Sequence, residues 1–489
     1  MSDGGLIVWA DNELGNSKRL DYASEQSTST SFMYYYLSFL RPPPRTTDTV
    51  TPFVITPQIA NDLRTEILES TLQIFYQWIQ GPSSSTTAQP VHSLTTWLGS
   101  PSVYKPLSIP PPLGIRSGQS WTLSLFARPC SGNSNSSSAC NSITDSGARM
   151  NSERSLWELD LSSALDGEAV VPFPVLSESI RFISTPESGG GKKKIGNGHG
   201  NEKGKGRGKE VLSGMKERTG AVDKQDRIRR VFGLGRGYKM CMVEQTSFDL
   251  DKKIWDSGLA CSAFLTQYLP EPSQRTTYPQ YPQSSNYLAQ LWNVLDRANE
   301  QPLRILELGT GSGLVSINLA SLISPCESEL HTIMATDLAS ALPLIDINTL
   351  ANKLLYASKA QIVARELDWT SKSIPEWVWD AGEGEPKGLD LIIMADVTYN
   401  VSIFPALLHT VSNLLRPPQE IQPSEKSPLM LLAFKERDPT GAERELWTLA
   451  REAGIWLEKV LDMPGHGGTE VEFWVGGLNS TGHPDVESD

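Results

Sequence analysis

RILELGTGSGLVSINLA, residues Arg304–Ala320, is the stretch from which the rest of this chain is read. Its first residues form an apolar run through Glu307 and Leu308, as a buried strand would. Gly309, Gly311 and Gly313 then make a tight turn, and the apolar residues beyond it fit a helix. Glycine tolerates positive φ and lets a ligand approach the backbone closely. A turn at the carboxyl end of a strand is where open α/β sheets bind their ligands.

Working outward, strands and helices alternate from about Ile228 onward. Thr332–Asp337, Gln361–Glu366, Leu389–Ala395 and Leu429–Phe434 read as strands. Ser312–Ile323, Ala341–Ala357, Val401–Arg416 and Gly441–Ala453 read as helices. Such alternation predicts an α/β fold, a Rossmann-like and mainly parallel sheet covered on both faces. The last two strands, Ile455–Leu461 and Glu470–Val475, are joined by MPGHGG, too short for a crossover, so they are expected to pair antiparallel.

The acids around the glycine turn narrow the ligand. A dinucleotide fingerprint needs a third glycine where Leu314 stands. Instead, Glu307 precedes the turn, and a carboxylate there would repel a pyrophosphate. It suits the zwitterionic methionine end and cationic sulfonium of S-adenosylmethionine. Asp337 ends the second strand, placed to accept hydrogen bonds from both ribose hydroxyls. In ELDWT, Asp368 would accept from the adenine amino group, with Trp369 against the purine face or simply packed at the strand end.

Taken in order, Glu307–Gly313, Asp337, Asp368-Trp369 and the DVTYN segment resemble the seven-strand class I methyltransferases. More narrowly they resemble the family 16 protein-lysine methyltransferases. KIWDSGL (Lys253–Leu259) looks like the family's segment before the glycine loop, whose tryptophan, here Trp255, packs near the cofactor's methionine end. Ala335–Asn352 resembles the second strand and its asparagine-bearing helix, and Asp396–Tyr399 matches the D-x-x-Y signature. The resemblance covers about residues 225–478. It implies a cofactor pocket of Trp255, Glu307, Gly309, Thr310, Gly311, Gly313, Asp337, Asp368, Trp369 and Ala395. It also implies Asp396 and Tyr399 at the acceptor, Asp396 holding the amine and Tyr399 lining its channel. The stretch Ala433–Trp447 after the fifth strand matches the family only loosely, so the substrate is not specified.

Methyl transfer to a lysine needs alignment, water exclusion and a deprotonated amine rather than a protein nucleophile. The N-P-P-Y signature of base-amine methylation is absent, D-V-T-Y standing in its place. A methyltransferase for nucleic acid or a small molecule, and a non-catalytic scaffold, are the competing readings.

The rest of the 489 residues sets bounds. A net charge of -13 argues against nucleic acid as a partner, and no apolar run is long enough to span a membrane. Five scattered cysteines fit a reducing compartment and supply no metal template. A monomer in the cytoplasm, and also the nucleus, acting on a protein substrate is the expectation. Residues 1–130 form an N-terminal extension. Within it, Thr56-Pro57 reads as a helix start, with Ile59, Leu63, Ile67, Phe75 and Trp78 near helical spacing. Trp121–Pro129 alternates as a strand. Residues 131–224 read as a largely flexible insertion rich in glycine and lysine, with Ser155–Leu165 and Val170–Leu176 able to add strands. Residues 479–489 read as a tail.

Overall fold

The computed structural model describes residues 34–80, 87–130, 158–161, 171–184, 223–234, 237–247, 249–269, 286–327, 329–380, 387–418, 428–463 and 470–478. The glycine- and lysine-rich stretch and the tail lie outside them.

The C-terminal part alternates as its apolar runs dictate. Helices α1 (Asp256–Tyr268) and α2 (Asn286–Asp296) precede strand β1 (Arg304–Leu308). Then come α3 (Leu314–Leu322), β2 (His331–Asp337), α4 (Leu342–Tyr356), β3 (Ala360–Glu366) and β4 (Leu391–Ala395). The chain continues with α5 (Phe404–Leu415), β5 (Leu429–Lys435), α6 (Glu445–Glu452), β6 (Ile455–Met463) and β7 (Val471–Leu478). The seven strands lie in the order β3-β2-β1-β4-β5-β7-β6, with β7 alone antiparallel to its neighbours. The final antiparallel pair follows from the short link between β6 and β7.

Both faces of this sheet are buried. Ile305, Ile333, Ile393 and Leu431 pack with α1 and α3 on one side. Leu306, Leu308, Met394 and Leu432 pack with α5 on the other. That double burial is why β1 and β4 read as continuous apolar runs rather than as alternating ones.

The N-terminal part is β structure, and here the helix expected from Thr56 onward is corrected. Phe53–Ala60 and Leu72–Gln80 are strands, while Leu63 and Ile67 fall in the connection between them. LQIFYQWIQ is rich in aromatic and β-branched side chains, which favour a half-buried pleated surface over a helix. Pro57 does not start a helix; it is tolerated inside a strand. The partner Leu107–Ile109 reaches only Phe53–Ile55, and Pro57 faces a register shift between Phe39 and Arg41 on the other side.

Ser120–Pro129, read correctly as a strand, is the hub of the larger sheet. It pairs antiparallel with Leu72–Gln80, Val175–Ser177 and Ile180–Ile183. Val175–Ser177 and Glu158–Asp160, both from the interval flagged in the sequence, join Arg227–Gly233. Lys239–Gln245 closes the path as a hairpin partner of Arg227–Gly233.

The two parts share one core. Tyr36, Phe173, Phe232 and Met242 cluster with Leu259, Phe264, Val315 and Ile305 of the C-terminal part. Helix α4 also covers the exposed edge of Lys239–Gln245. Asn348 accepts from the Val243 N–H at 2.7 Å and donates to its carbonyl at 3.1 Å. Asn352 does the same for Cys241, at 2.8 Å each way. Two amides spaced four residues apart thus stand in for a neighbouring strand. No helix among the described residues is long and apolar enough to cross a membrane.

Candidate active site

A cavity of about 600 Å³ opens at the carboxyl ends of β1, β2 and β4, and of β5 through Arg437. Its floor is the glycine turn. Gly309, Gly311 and Gly313 all have positive φ, at 65°, 56° and 85°. A Cβ on Gly309 would sit 2.8 Å from Val397 and 3.3 Å from the Trp369 ring, so backbone alone fits that wall. Gly311 and Gly309 line the cavity, whereas Gly313 caps α3 from behind.

Glu307 lies under the loop instead of on the cavity wall. One carboxylate oxygen accepts from Thr310 Oγ1 at 2.5 Å, from Ser316 N at 3.0 Å and from the Ser316 hydroxyl. Burial pushes its carboxyl up to about 7 against those hydrogen bonds. Thr310 is likewise spent inside, its N–H donating to the Thr336 carbonyl at 3.0 Å. The structure therefore gives Glu307, Thr310 and Gly313 the task of shaping the loop, and none of the three lines the cavity.

Asp337 does line it. Its carboxylate accepts from Gly311 N and from Leu338 N, both at 2.7 Å, which ties the acid to the turn. Burial raises its carboxyl above the ordinary range. A carboxylate has about four lone-pair positions, so two remain for ligand hydroxyls. Asp368 accepts from Thr370 N and Oγ1, at 2.8 Å each, and these bonds hold its carboxyl low. Leu367, Asp368, Trp369 and Ala395 complete this half of the wall.

The opposite half is built around Arg437, which the motif reading missed. Asp396 has φ +61°, and both its oxygens meet the guanidinium, Nε at 3.0 Å and Nη2 at 2.6 Å. Asp62, from the N-terminal part, takes the other side, with Nη2 at 2.9 Å and Nη1 at 3.3 Å. The guanidinium also lies over the Trp255 ring, 5.3 Å from its centroid. The sequence reading gives Asp396 an amine to hold; in the structure its carboxylate already holds an arginine. Tyr399 stays on the cavity wall, 55% exposed, and burial with the charges of Asp337, Asp251 and Asp396 raises its phenol.

The same carboxylates cap α1, which has no side-chain cap of its own. Asp256 N donates to Asp62 at 3.3 Å and Ser257 N donates to Asp396 at 3.2 Å. Helix N-termini carry unsatisfied N–H groups and partial positive charge, so two acids stabilise this end. Beneath them Asp256 pairs with Lys435 at 2.5 Å and accepts from the Tyr36 hydroxyl at 2.8 Å. Burial, with the charge of Asp62 adding, pushes Asp256 up to about 6. Asp62 goes the other way: burial opposes its ionisation, but Arg437 and Lys435 outweigh it.

The cavity's side chains favour a cationic ligand. Asp251, Asp337, Asp368 and Asp396 face it against a single cation, Arg437, and that cation is matched by Asp396 and Asp62. The loop, the acid on it and the aromatic wall are what an adenosyl sulfonium would require.

Residues 237–458 match the model of the lysine methyltransferase family. The resemblance read from the motifs is shown for that stretch. The chain is 28% identical over 134 residues to protein-lysine N-methyltransferase EFM6 of Saccharomyces cerevisiae, covering 27% of this chain and 50% of that protein. It is 30% identical over 114 residues to protein-lysine N-methyltransferase EFM3 of Chaetomium thermophilum, covering 23% and 31%. The chain thus spans half or less of the length of these relatives. Among solved structures, an O-methyltransferase from Bacillus cereus is 15% identical, with 45% of this chain and 97% of that chain covered and a TM-score of 0.26. The matched stretch begins inside the N-terminal sheet, at the turn before Lys239–Gln245, and takes in every lining residue of the cavity except Leu63.

Proposed function

We propose that this protein transfers a methyl group from S-adenosylmethionine to a lysine side chain of a protein substrate. The observation that carries it is the cavity at the strand ends, where the Gly309–Gly311 backbone, Asp337 and Trp369 meet an excess of carboxylates. Its place within the lysine methyltransferase match supports the choice of acceptor. Bound there, S-adenosylmethionine supplies a methyl group on an electrophilic sulfonium. Gly309 and Gly311 would give it backbone contact, Asp337 would accept from the ribose hydroxyls, and Asp368 with Trp369 would hold the adenine.

The acceptor then enters over β4 and β5. A lysine arrives as a cation, with a pKa near 10.4, and the acidic wall attracts it; it must release its proton to solvent before the neutral amine can take the methyl group. Tyr399 keeps its proton, so its hydroxyl can orient the amine while its ring excludes water. Asp396 acts through Arg437, as a positioning residue. The enzyme is taken to act as a monomer in the cytoplasm and nucleus.

Calorimetry with S-adenosylmethionine, S-adenosylhomocysteine and NAD tests the cofactor, and tritiated S-adenosylmethionine in a cell lysate tests the acceptor. Binding of the first two ligands and base-stable label on lysine are expected. Heat only with NAD, or label confined to nucleic acid or small molecules, would overturn the proposal.

A further inference from the structure

Among the cavity's lining residues, Leu63 alone comes from outside the region 250–437. It sits on the turn Asn61–Glu66, and that turn is held far more firmly than a surface connection needs. Asn61 Oδ1 accepts from Thr65 N at 2.9 Å and Glu66 N at 3.3 Å, and Asn61 N donates to the Glu66 carbonyl at 3.0 Å. Leu63 N donates to Asp62 at 2.8 Å, and Arg64 Nη1 reaches the Thr246 carbonyl at 3.3 Å. Arg64 has φ +60°. Among the described residues only Arg64, Tyr104 and Asp396 are non-glycines at positive φ. Two of the three therefore fall in the segments that grip Arg437 from its two sides. Backbone strain of this kind persists where surroundings over-determine it, and it concentrates at binding sites.

The turn also lies on a definite side of the cavity. The glycine loop, Asp337 and Asp368 occupy the ends of β1, β2 and β3. Asp62 is bonded to Arg437, which follows β5 and meets Asp396 at the end of β4. Leu63 is thus anchored on the half left for the acceptor. It is 40% exposed, and Leu250 and Tyr399, also on the wall, are 48% and 55% exposed. Apolar groups left open around an acidic cavity give an incoming chain something to bury beside its charged lysine.

We propose that the Asn61–Glu66 turn is the acceptor-side wall of the active site, and that Leu63 selects lysines with an apolar neighbouring residue. This rests on the reading of the protein as a lysine methyltransferase. Asp62 fixes the turn by its bond to Arg437, and the turn presents Leu63 to the residue flanking the lysine. The N-terminal part is then a specificity element.

The test uses the full chain, tritiated S-adenosylmethionine and arrayed peptides with a central lysine flanked by leucine or by aspartate. The wild type should favour leucine flanks about tenfold, as one buried apolar group allows. Leu63→Asp should erase that preference with cofactor affinity, measured by calorimetry, unchanged, and Leu63→Met should keep it. The same leucine preference in Leu63→Asp would overturn the proposal, as would equal loss of cofactor binding, which would make Leu63 a structural residue. A wild type that binds cofactor and labels no peptide would count against the lysine reading beneath it. Labelling without flank preference would overturn the selection by Leu63 and leave that reading standing.

Discussion

Asp62 and Arg437 stand 375 positions apart in the chain and meet at 2.9 Å, in a buried ion pair that Asp396 completes at 2.6 Å. One guanidinium is thus shared by two carboxylates from two parts of the protein. Its bidentate donors satisfy both at once, which a lysine cannot do.

Arg437→Met should be strongly destabilising, because it leaves two acids buried without a cation. The expected loss is about 3–5 kcal/mol in urea denaturation. Adding Asp62→Asn to that variant should recover part of it. A single variant as stable as wild type would show that the acids are hydrated in solution.

Asp337→Asn keeps the shape of the side chain and removes its charge. Two ribose hydroxyls would then lose a charged acceptor worth roughly 1.5–3 kcal/mol, a Kd rise of roughly 10- to 150-fold. Calorimetry with S-adenosylhomocysteine measures it directly. Unchanged affinity would confine Asp337 to bracing Gly311, to which it is bonded at 2.7 Å.

Tyr399→Phe should leave cofactor affinity intact and slow methyl transfer by about tenfold, the value of one oriented hydrogen bond at the reacting amine. A change in KM with kcat preserved would instead assign the hydroxyl to acceptor binding.

Glu307 predicts a pH dependence of stability. Burial lifts its carboxyl from the ordinary 4.5 to about 7 in the folded protein. Between those values the folded state holds a proton that the unfolded chain has released. The stabilisation is full below pH 4.5 and declines as pH rises through 7. Against Glu307→Gln, which cannot titrate, wild-type stability should fall by on the order of 3 kcal/mol across that window. Parallel stability curves for the two proteins would show that Glu307 does not titrate in that window.

The centre of the C-terminal sheet was legible because β1, β2, β4 and β5 are buried on both faces and read as short apolar runs, the first three of them ended by glycine or an acid. Asp337, Asp368 and Tyr399 were legible for the same reason, as polar residues at strand ends. The N-terminal part was not. Its three-residue strands draw on distant partners, Thr46–Asp48 pairing with Ile180–Ile183 more than a hundred residues away, which no local period records. Leu63 was read onto the wrong element, and its place on the cavity wall is decided by tertiary packing. Arg437 lies where a strand-end residue could have been noticed, just past β5, but its partners Asp62 and Asp396 meet only on folding. Glu307 belongs to the motif as read, and its side chain turns inward to Thr310 and Ser316.

The asparagine pair on α4 has a practical consequence for anyone who would cut this chain. The stretch matched to known enzymes starts at residue 237, so trimming to it keeps Lys239–Gln245 and discards Arg227–Gly233, its hairpin partner. Trimming after residue 247 instead strips Asn348 and Asn352 of the backbone groups they serve. Either excision opens a raw strand edge or two stranded amides. The smallest fragment that keeps this architecture whole therefore begins with the β structure near residue 34 and runs to the end of β7.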